Sequence, residues 1–253
     1  MEHSNKPQVA VLIPAYNEED ALPFVLATLP KQWVRQVVVC DNGSTDRTAE
    51  IARLMGARVV RASRRGYGSA CLAGIDYLKG LPASDQPEVV VFIDADYADD
   101  PNELPRLVEP ILRGSQDLVI GSRLSGRIEP GAMTLPQYLG NWLSARLIHR
   151  LFGQRFTDLG PFRAIHWSCL LQLGMSDPNY GWTVEMQIKA ALYRLQCAEV
   201  PVSYRKRVAG RSKVSGTLKG VILAGGKILG LIFWYYFQHR RQQHAGVSIP
   251  YKT

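Results

Sequence analysis

Two aspartates stand one residue apart at the end of an apolar run, Val89-Val-Val-Phe-Ile-Asp94-Ala95-Asp96. Paired carboxylates at the carboxyl end of a buried strand can hold a hard divalent cation. Mg²⁺ or Mn²⁺ takes oxygen ligands and bridges readily to phosphates. The competing reading makes one of the two a helix cap, but Asp99 and Asp100 stand nearer the next helix and are available for that. Three further turns place polar or basic side chains after apolar runs. Ile13-Pro14-Ala15-Tyr16-Asn17-Glu18-Glu19 offers a ring to stack on a base and groups to hydrogen-bond it; alternatively, Asn17 or Glu18 only starts a helix. In Cys40-Asp41-Asn42-Gly43-Ser44-Thr45-Asp46, Asp41 can accept from a base or ribose while Asn42-Gly43 makes the turn; Ser44 or Asp46 can equally be a cap. Arg64-Arg65-Gly66-Tyr67-Gly68 is a glycine-rich basic turn whose backbone N–H groups can receive phosphate. It lacks the GxGxxG of a dinucleotide fold.

The elements that must carry these turns alternate in type. Val9–Ile13, Val37–Cys40, Ala57–Val60, Val89–Ile93 and Leu118–Ile120 read as buried strands. Between them, Glu19–Leu29, Thr45–Met55, Gly68–Leu78 and Pro101–Leu112 have helical apolar spacing. This βαβα order predicts an α/β fold: a mostly parallel central sheet with helices on both faces, ligands binding beyond the strands' carboxyl ends. Farther on, Pro136–Phe152 and Thr183–Leu195 read as helices, Phe162–Ile165 and Glu199–Tyr204 as extended segments. Trp33, Trp142 and Trp167 are expected in the core. No linker precedes residue 208, so residues 1–207 read as one catalytic domain and 208–253 as an appendage.

Composition narrows the class. The chain of 253 residues is 46% hydrophobic and 21% charged, as a globular protein is. Four cysteines without CxxC spacing argue against a disulfide scaffold and a zinc site. Residues 1–8 are polar and the first apolar run is short, so no secretory leader is expected and the setting is read as cytoplasmic. Residues 200–253 hold ten Lys and Arg and no acidic residue; the preceding 199 hold the other 20 basic residues and all 22 acidic ones. A basic tail on a near-neutral body predicts an anionic contact: a phosphorylated ligand, an acidic membrane surface or nucleic acid. Nucleic acid is disfavoured, because the tail's aromatic and basic residues are blocked, whereas stacking platforms interleave them. Within the tail, Leu218–Phe237 has the length of a bilayer span, but Lys227 lies near its middle and Trp234, Tyr235 and Tyr236 cluster at one end. An interfacial helix is the favoured expectation, with packing on the body or a true span as alternatives.

The four turns together, IPAYNEE, DNGSTDRT, RGYGSA and DAD, resemble those of family-2 glycosyltransferases with the GT-A nucleotide-sugar-binding fold, over roughly residues 8–210. The second half resembles the polyprenyl-phosphate (dolichyl-phosphate) mannosyl- and glucosyltransferase branch, through Ile120-Gly121-Ser122-Arg123, Asp158-Leu159-Gly160-Pro161-Phe162-Arg163, Glu185 and Arg207-Val208-Ala209-Gly210-Arg211-Ser212-Lys213. The resemblance implies that Asp94 contacts the donor and Asp96 holds Mg²⁺ or Mn²⁺, Asp94 being its second candidate ligand. It places Pro14, Tyr16, Glu18, Asp41, Gly68 and Ala95 at a GDP- or UDP-hexose. Arg123, Arg163, Arg207, Ser212 and Lys213 would hold phosphates, and Asp158 and Glu185 would face the sugar, making Asp96, Asp158, Glu185 and Arg123 the catalytic set. It implies inversion, with a polyprenyl phosphate or other lipid as acceptor at the cytoplasmic face of a membrane. Three departures stand out: Ala98 where relatives often have Gln, Gly160-Pro161-Phe162 where SGF is frequent, and Arg65 where Asn is common. A hydroxyl acceptor, with Glu185 or Asp158 as base, and a non-enzymatic nucleotide-sugar sensor are the rival readings.

Overall fold

The protein is described by a computed structural model covering residues 7–208 and 218–244. Seven strands form one sheet in the order β3-β2-β1-β4-β6-β5-β7. β1 (Val9–Ala15), β2 (Gln36–Asp41), β3 (Arg58–Arg61) and β4 (Val89–Phe92) are parallel. β6 (Arg163–His166) runs antiparallel to β4 and to β5 (Leu118–Ile128), and β7 (Cys197–Tyr204) pairs parallel with β5. The expected mostly parallel α/β sheet is therefore present. β5 outruns the three apolar residues that signal it, continuing through a register shift between Ser122 and Arg127.

Side-chain alternation along the strands divides the interior into two cores. Val9, Val11 and Ile13 face one side, against Leu22 and Val25 of α1 (Leu22–Thr28) and Leu104 and Leu107 of α4 (Leu104–Leu112). Ala10 and Leu12 face the other, against Ala70 and Ile75 of α3 (Tyr67–Lys79) and Trp182 and Met186 of α7 (Trp182–Leu192). α2 (Thr48–Leu54) starts later than its apolar spacing implies, because the Asp46 carboxylate accepts from the Thr48 N–H. Of the two acids before Pro101, Asp100 is the cap, accepting from the Asn102 N–H at 3.1 Å. α5 (Leu135–Phe152) opens on a Thr134–Gln137 capping box and stops at Gly153, whose φ is +82°. α6 (Trp167–Leu173) is absent from the sequence reading; it is seven residues long and too apolar to show a helical period.

α8 (Leu218–His244) extends the expected Leu218–Phe237 run and lies on the body, with Ile232 and Tyr235 in the same core as α3, α5 and α7. Phe233, Trp234 and Phe237 remain exposed. Among the described residues no helix is long and apolar enough to cross a membrane. Trp142 corrects an expectation: it is 50% exposed, alongside exposed Leu135, Tyr138 and Leu139 on the outer side of α5. Trp182, the largest fully buried side chain, holds the core place instead and meets Phe92 edge-on at 5.8 Å. Urea denaturation should separate the two: Trp182→Ala is expected to cost about 3–5 kcal/mol, and Trp142→Ala less than about 0.5 kcal/mol.

Candidate active site

The turns after β1 and β2 and the turn before α3 are tied together by side chains bonding to backbone. The Asn17 N–H donates to Ser44 Oγ at 3.1 Å, and the Thr45 N–H donates back to Asn17 Oδ1 at 2.8 Å. These bonds hold Asn17 at φ +52°, a conformation that Asn tolerates. The Glu18 N–H reaches Thr48 Oγ1 at 2.9 Å, and the Gly66 N–H reaches Asn42 Oδ1 at 2.9 Å. Gly66 has φ +146°, and a Cβ on it would lie 2.1 Å from the Pro178 carbonyl oxygen; a Cβ on Gly68 would lie 1.9 Å from that of Asp177. The two glycines thus admit the 177–179 backbone against the head of α3. Gly68 serves this close approach and is not among the cavity's lining residues.

A cavity of about 380 Å³ opens over the carboxyl ends of β1 and β4. Of the residues named from the sequence, Pro14, Tyr16, Glu18, Asp94, Ala95, Asp96 and Arg207 line it, and so do Asn42, Arg65, Asn179 and Tyr180. The Arg65 guanidinium lies over the Tyr16 ring, 5.2 Å from its centroid. Asp41 does not line the cavity; it is buried and its carboxylate accepts from the Ser44 N–H at 2.9 Å, within the turn that follows β2.

Asp96 is buried, with Oδ1 accepting from the Ala98 N–H at 3.0 Å and Oδ2 2.9 Å from Arg207 Nη2. Arg207 also approaches Glu18 at 3.8 Å. Asp94 Oδ1 is buried without a hydrogen-bond partner. Burial, and then the Asp96 carboxylate, push the Asp94 carboxyl up to about 7. Two adjacent carboxylates, one with an orphaned buried oxygen, suit a hard divalent cation completed by phosphate oxygens and water. Among the described residues no group of three or more His, Cys, Asp or Glu could hold a metal alone.

A second chamber of about 400 Å³ adjoins the first, sharing Tyr67, Asp94, Tyr180 and Arg207 in its lining. Arg123 stands in its wall with Gln137, Asn141, Ser144, Thr183 and Tyr204, and apolar side chains complete it: Met133, Pro136 and Leu143 before and along α5, Leu159 and Pro161, and Ile228 and Leu229 of α8. Arg123 is aimed by Asp158, which accepts from its backbone N–H at 2.7 Å, from Nε at 2.8 Å and from Nη2 at 2.7 Å. The Tyr204 ring lies 4.9 Å from the Arg123 guanidinium. Burial alone would raise the Asp158 pKa, but Arg123 holds it below the ordinary carboxylate range.

Three predicted site residues lie behind these walls. Asp158 is fully buried and bonded to Arg123. Arg163 is fully buried and donates to the carbonyls of Leu159, Gly160 and Thr183, bracing the 158–161 segment; burial lowers its pKa to about 10. Glu185 is buried too and accepts from Ser176, the Asp177 N–H, Lys189 and Tyr235. None of these three side chains lines either cavity. Ser212 and Lys213 lie outside the described residues. Sequence reasoning missed Asp99, taken only as a possible cap. It is buried, neither carboxylate oxygen has a hydrogen-bond partner, and burial pushes its pKa well up. It also missed Tyr67 and Tyr180, each of which lines both chambers.

The chain matches the family model for glycosyl transferase family 2 over residues 10–171. It belongs to that family. An uncharacterised glycosyltransferase of Mycobacterium tuberculosis is 39% identical over 218 residues, 85% of this chain and 94% of that protein. A dolichyl-phosphate hexose transferase of Haloferax volcanii is 36% identical over 226 residues, 88% of this chain and 90% of that one. Among solved structures, glucosyl-3-phosphoglycerate synthase from M. tuberculosis, in complex with Mn²⁺, UDP-glucose and phosphoglyceric acid, superposes with a TM-score of 0.69 at 25% identity. That match covers 91% of this chain and 80% of the synthase. The GT-A fold expected from the four turns is thereby established.

The Asp158 carboxylate has a folded pKa below its unfolded one. Its stabilisation is complete above the unfolded value, about 3.9, and drains away as pH falls through the folded one. Asp158→Ala, which strands Arg123, is expected to cost about 3–5 kcal/mol at neutral pH in urea denaturation. The deficit relative to the native protein should shrink on acidification below about pH 4.

Proposed function

We propose that this protein transfers a hexose, with inversion, from a nucleoside-diphosphate sugar to a polyprenyl phosphate at a membrane surface. The observation that carries this reading is the joining of two chambers at Asp94 and Arg207, the first bringing Glu18, Asp94 and Asp96 together, the second running along α5 and α8 past Met133, Leu143, Ile228 and Leu229 with Arg123 and Arg207 in its wall. The first chamber suits a nucleotide and its phosphates. The second suits an isoprenoid chain whose phosphate lies between Arg123 and Arg207. The similarity to the H. volcanii dolichyl-phosphate hexose transferase supports a lipid-phosphate acceptor.

As the glycosidic bond breaks, negative charge gathers on the departing diphosphate. Arg207, at the junction, is placed to meet that charge, and Arg65 borders the same chamber. Asp94 and Asp96 would hold Mg²⁺ or Mn²⁺, which when bound supplies Lewis-acid stabilisation of the diphosphate oxygens. The Mn²⁺ and UDP-glucose bound by the M. tuberculosis synthase support that assignment. The attacking group is an ionised phosphate oxygen and needs no base. A hydroxyl would need one. Asp158 and Glu185, the bases such a reaction would recruit, are committed to Arg123 and to the 176–181 loop. They are positioning residues, and so is Arg163.

A membrane surface fits the outer sides of the two helices that wall the second chamber. α5 exposes Leu135, Tyr138, Leu139 and Trp142; α8 exposes Phe233, Trp234 and Phe237, with Arg240 and Arg241 beyond. A second reading, a soluble phosphorylated acceptor, draws on the synthase that superposes on this chain.

The deciding experiment incubates the protein with membranes, Mn²⁺ and a panel of labelled nucleotide sugars. Label is expected in the lipid phase; label appearing only in a water-soluble product with phosphoglycerate would overturn the lipid acceptor. Asp96→Ala or excess EDTA should abolish transfer with the fold intact by circular dichroism, and full activity in EDTA would remove the metal from the mechanism. Cation affinity should weaken as pH falls below about 7, where Asp94 takes a proton that Mn²⁺ must displace. Arg207→Ala should lower turnover at saturating lipid by about 100-fold, a loss that added lipid does not restore.

A further inference from the structure

Lys227 spoils the apolar run of α8 as a membrane span, and the fold gives it a partner fifty residues away. Its ammonium lies 3.2 Å from Asp177 Oδ1 and 3.0 Å from Oδ2. Asp177 is itself only 8% exposed. Its Oδ1 also accepts from the backbone N–H groups of Asn179, at 2.7 Å, and Gly181, at 3.1 Å. Two helical turns along α8, the Tyr235 hydroxyl donates to Glu185 Oε1 at 3.0 Å. Glu185 in turn accepts from the Ser176 N–H at 3.0 Å and the Asp177 N–H at 2.7 Å. Two carboxylates thus each bind the backbone of one loop and one side chain of α8.

That loop walls the first cavity. Asn179 and Tyr180 line it, and the Pro178 carbonyl receives the Ser69 N–H at 2.9 Å, seating the loop on the glycine turn. Among the described side chains of α8, residues 225–243, none lines this cavity; Gly225, Ile228 and Leu229 face the second chamber. Lys227 and Tyr235 therefore act on the first cavity only through the loop.

We propose that Lys227 and Tyr235 are positioning residues for donor binding: α8 straps the 176–181 loop into the shape that walls the nucleotide cavity, so that docking of α8 and occupation of that cavity favour each other. The inference rests on reading the first cavity as the nucleotide site. A strap of this kind makes the helix that walls the acceptor chamber report on the donor chamber. Linkage requires the effect to run both ways.

Calorimetric titration with UDP and, separately, GDP, each with Mn²⁺, tests the native protein, Lys227→Met, Lys227→Arg and Tyr235→Phe. The nucleotide that the native protein binds should bind Lys227→Met about tenfold more weakly. Lys227→Arg, which keeps the ion pair with Asp177, should restore the affinity, and Tyr235→Phe should weaken it. In the transfer assay the loss should fall on donor KM and not on kcat. Saturating the native protein with the nucleotide should also slow amide exchange in residues 225–235 of α8, a measurement no variant's folding can confound. If the native protein binds neither nucleotide, the donor reading of the cavity falls and the strap falls with it. If it binds one and exchange in α8 is unchanged, the strap alone is overturned, whatever the variants do.

Discussion

The site is governed by the cost of gathering acids at one end of a sheet. Asp96, Asp99 and Asp158 are buried, and Asp94 has a buried oxygen without a partner. Carboxylates withdrawn from water must be neutralised, paired or protonated. The fold uses both pairing and protonation. Arg207 pairs with Asp96, Arg123 pairs with Asp158, and burial favours the protonated form of Asp99. Asp94 is left with its carboxyl pushed up by burial and by Asp96, the environment in which a cation gains most by replacing a proton. The arginines are thus not free agents of catalysis added to a scaffold. Each is part of the charge balance that lets the acids be buried, and each borders a chamber.

A second constraint is geometric. The half of the chain that carries β1 to β4 and the half that carries α5 to α8 meet where the 177–179 backbone lies against Gly66 and Gly68. Any side chain at those positions would force the loop away. Because Asn179 and Tyr180 follow directly, the fit of two glycines sets the width of the cavity. The M. tuberculosis synthase shares the overall fold at a TM-score of 0.69, yet folds of this kind leave acceptor choice to local walls. Under the proposed function those walls come from α5 and α8, elements of the second half.

Much of this was legible in the residues. Alternating strand and helix patterns gave the sheet, and all four polar turns supply lining residues, at the carboxyl ends of β1, β2 and β4 and at the head of α3. What escaped reading depends on partners distant in sequence. Asp158 and Glu185 look like exposed catalytic acids until their partners are known, and those lie at Arg123, at Ser176 and Asp177, and at Tyr235, fifty residues from Glu185. Asp41 reads as a base or ribose contact, and its bond to the Ser44 N–H, which makes it a turn acceptor as well, cannot be read from residue types alone. Trp142 was misplaced because size suggests burial, while helix α5 turns that ring outward. The 176–181 loop has no apolar period and no motif, so nothing in Ser176-Asp177-Pro178-Asn179-Tyr180-Gly181 announces a cavity wall.

The ambiguity of the C-terminal run has the same origin. A helix with one buried face shows a clear apolar stripe, and a helix with two contacted faces does not. α8 buries Ile232 and Tyr235 in the core, turns Ile228 and Leu229 to the second chamber, and leaves Phe233, Trp234 and Phe237 exposed. Apolar residues therefore surround much of its girth, and the sequence imitates a membrane span. Lys227 breaks the imitation because it has a task inside the protein, with Asp177 as its partner. Under the proposed function the outer aromatic face meets lipid, the middle face meets the acceptor chain and the inner face holds the donor loop. A single helix with three apolar duties and one internal ion pair would then place the lipid substrate and the nucleotide cavity in one mechanical unit.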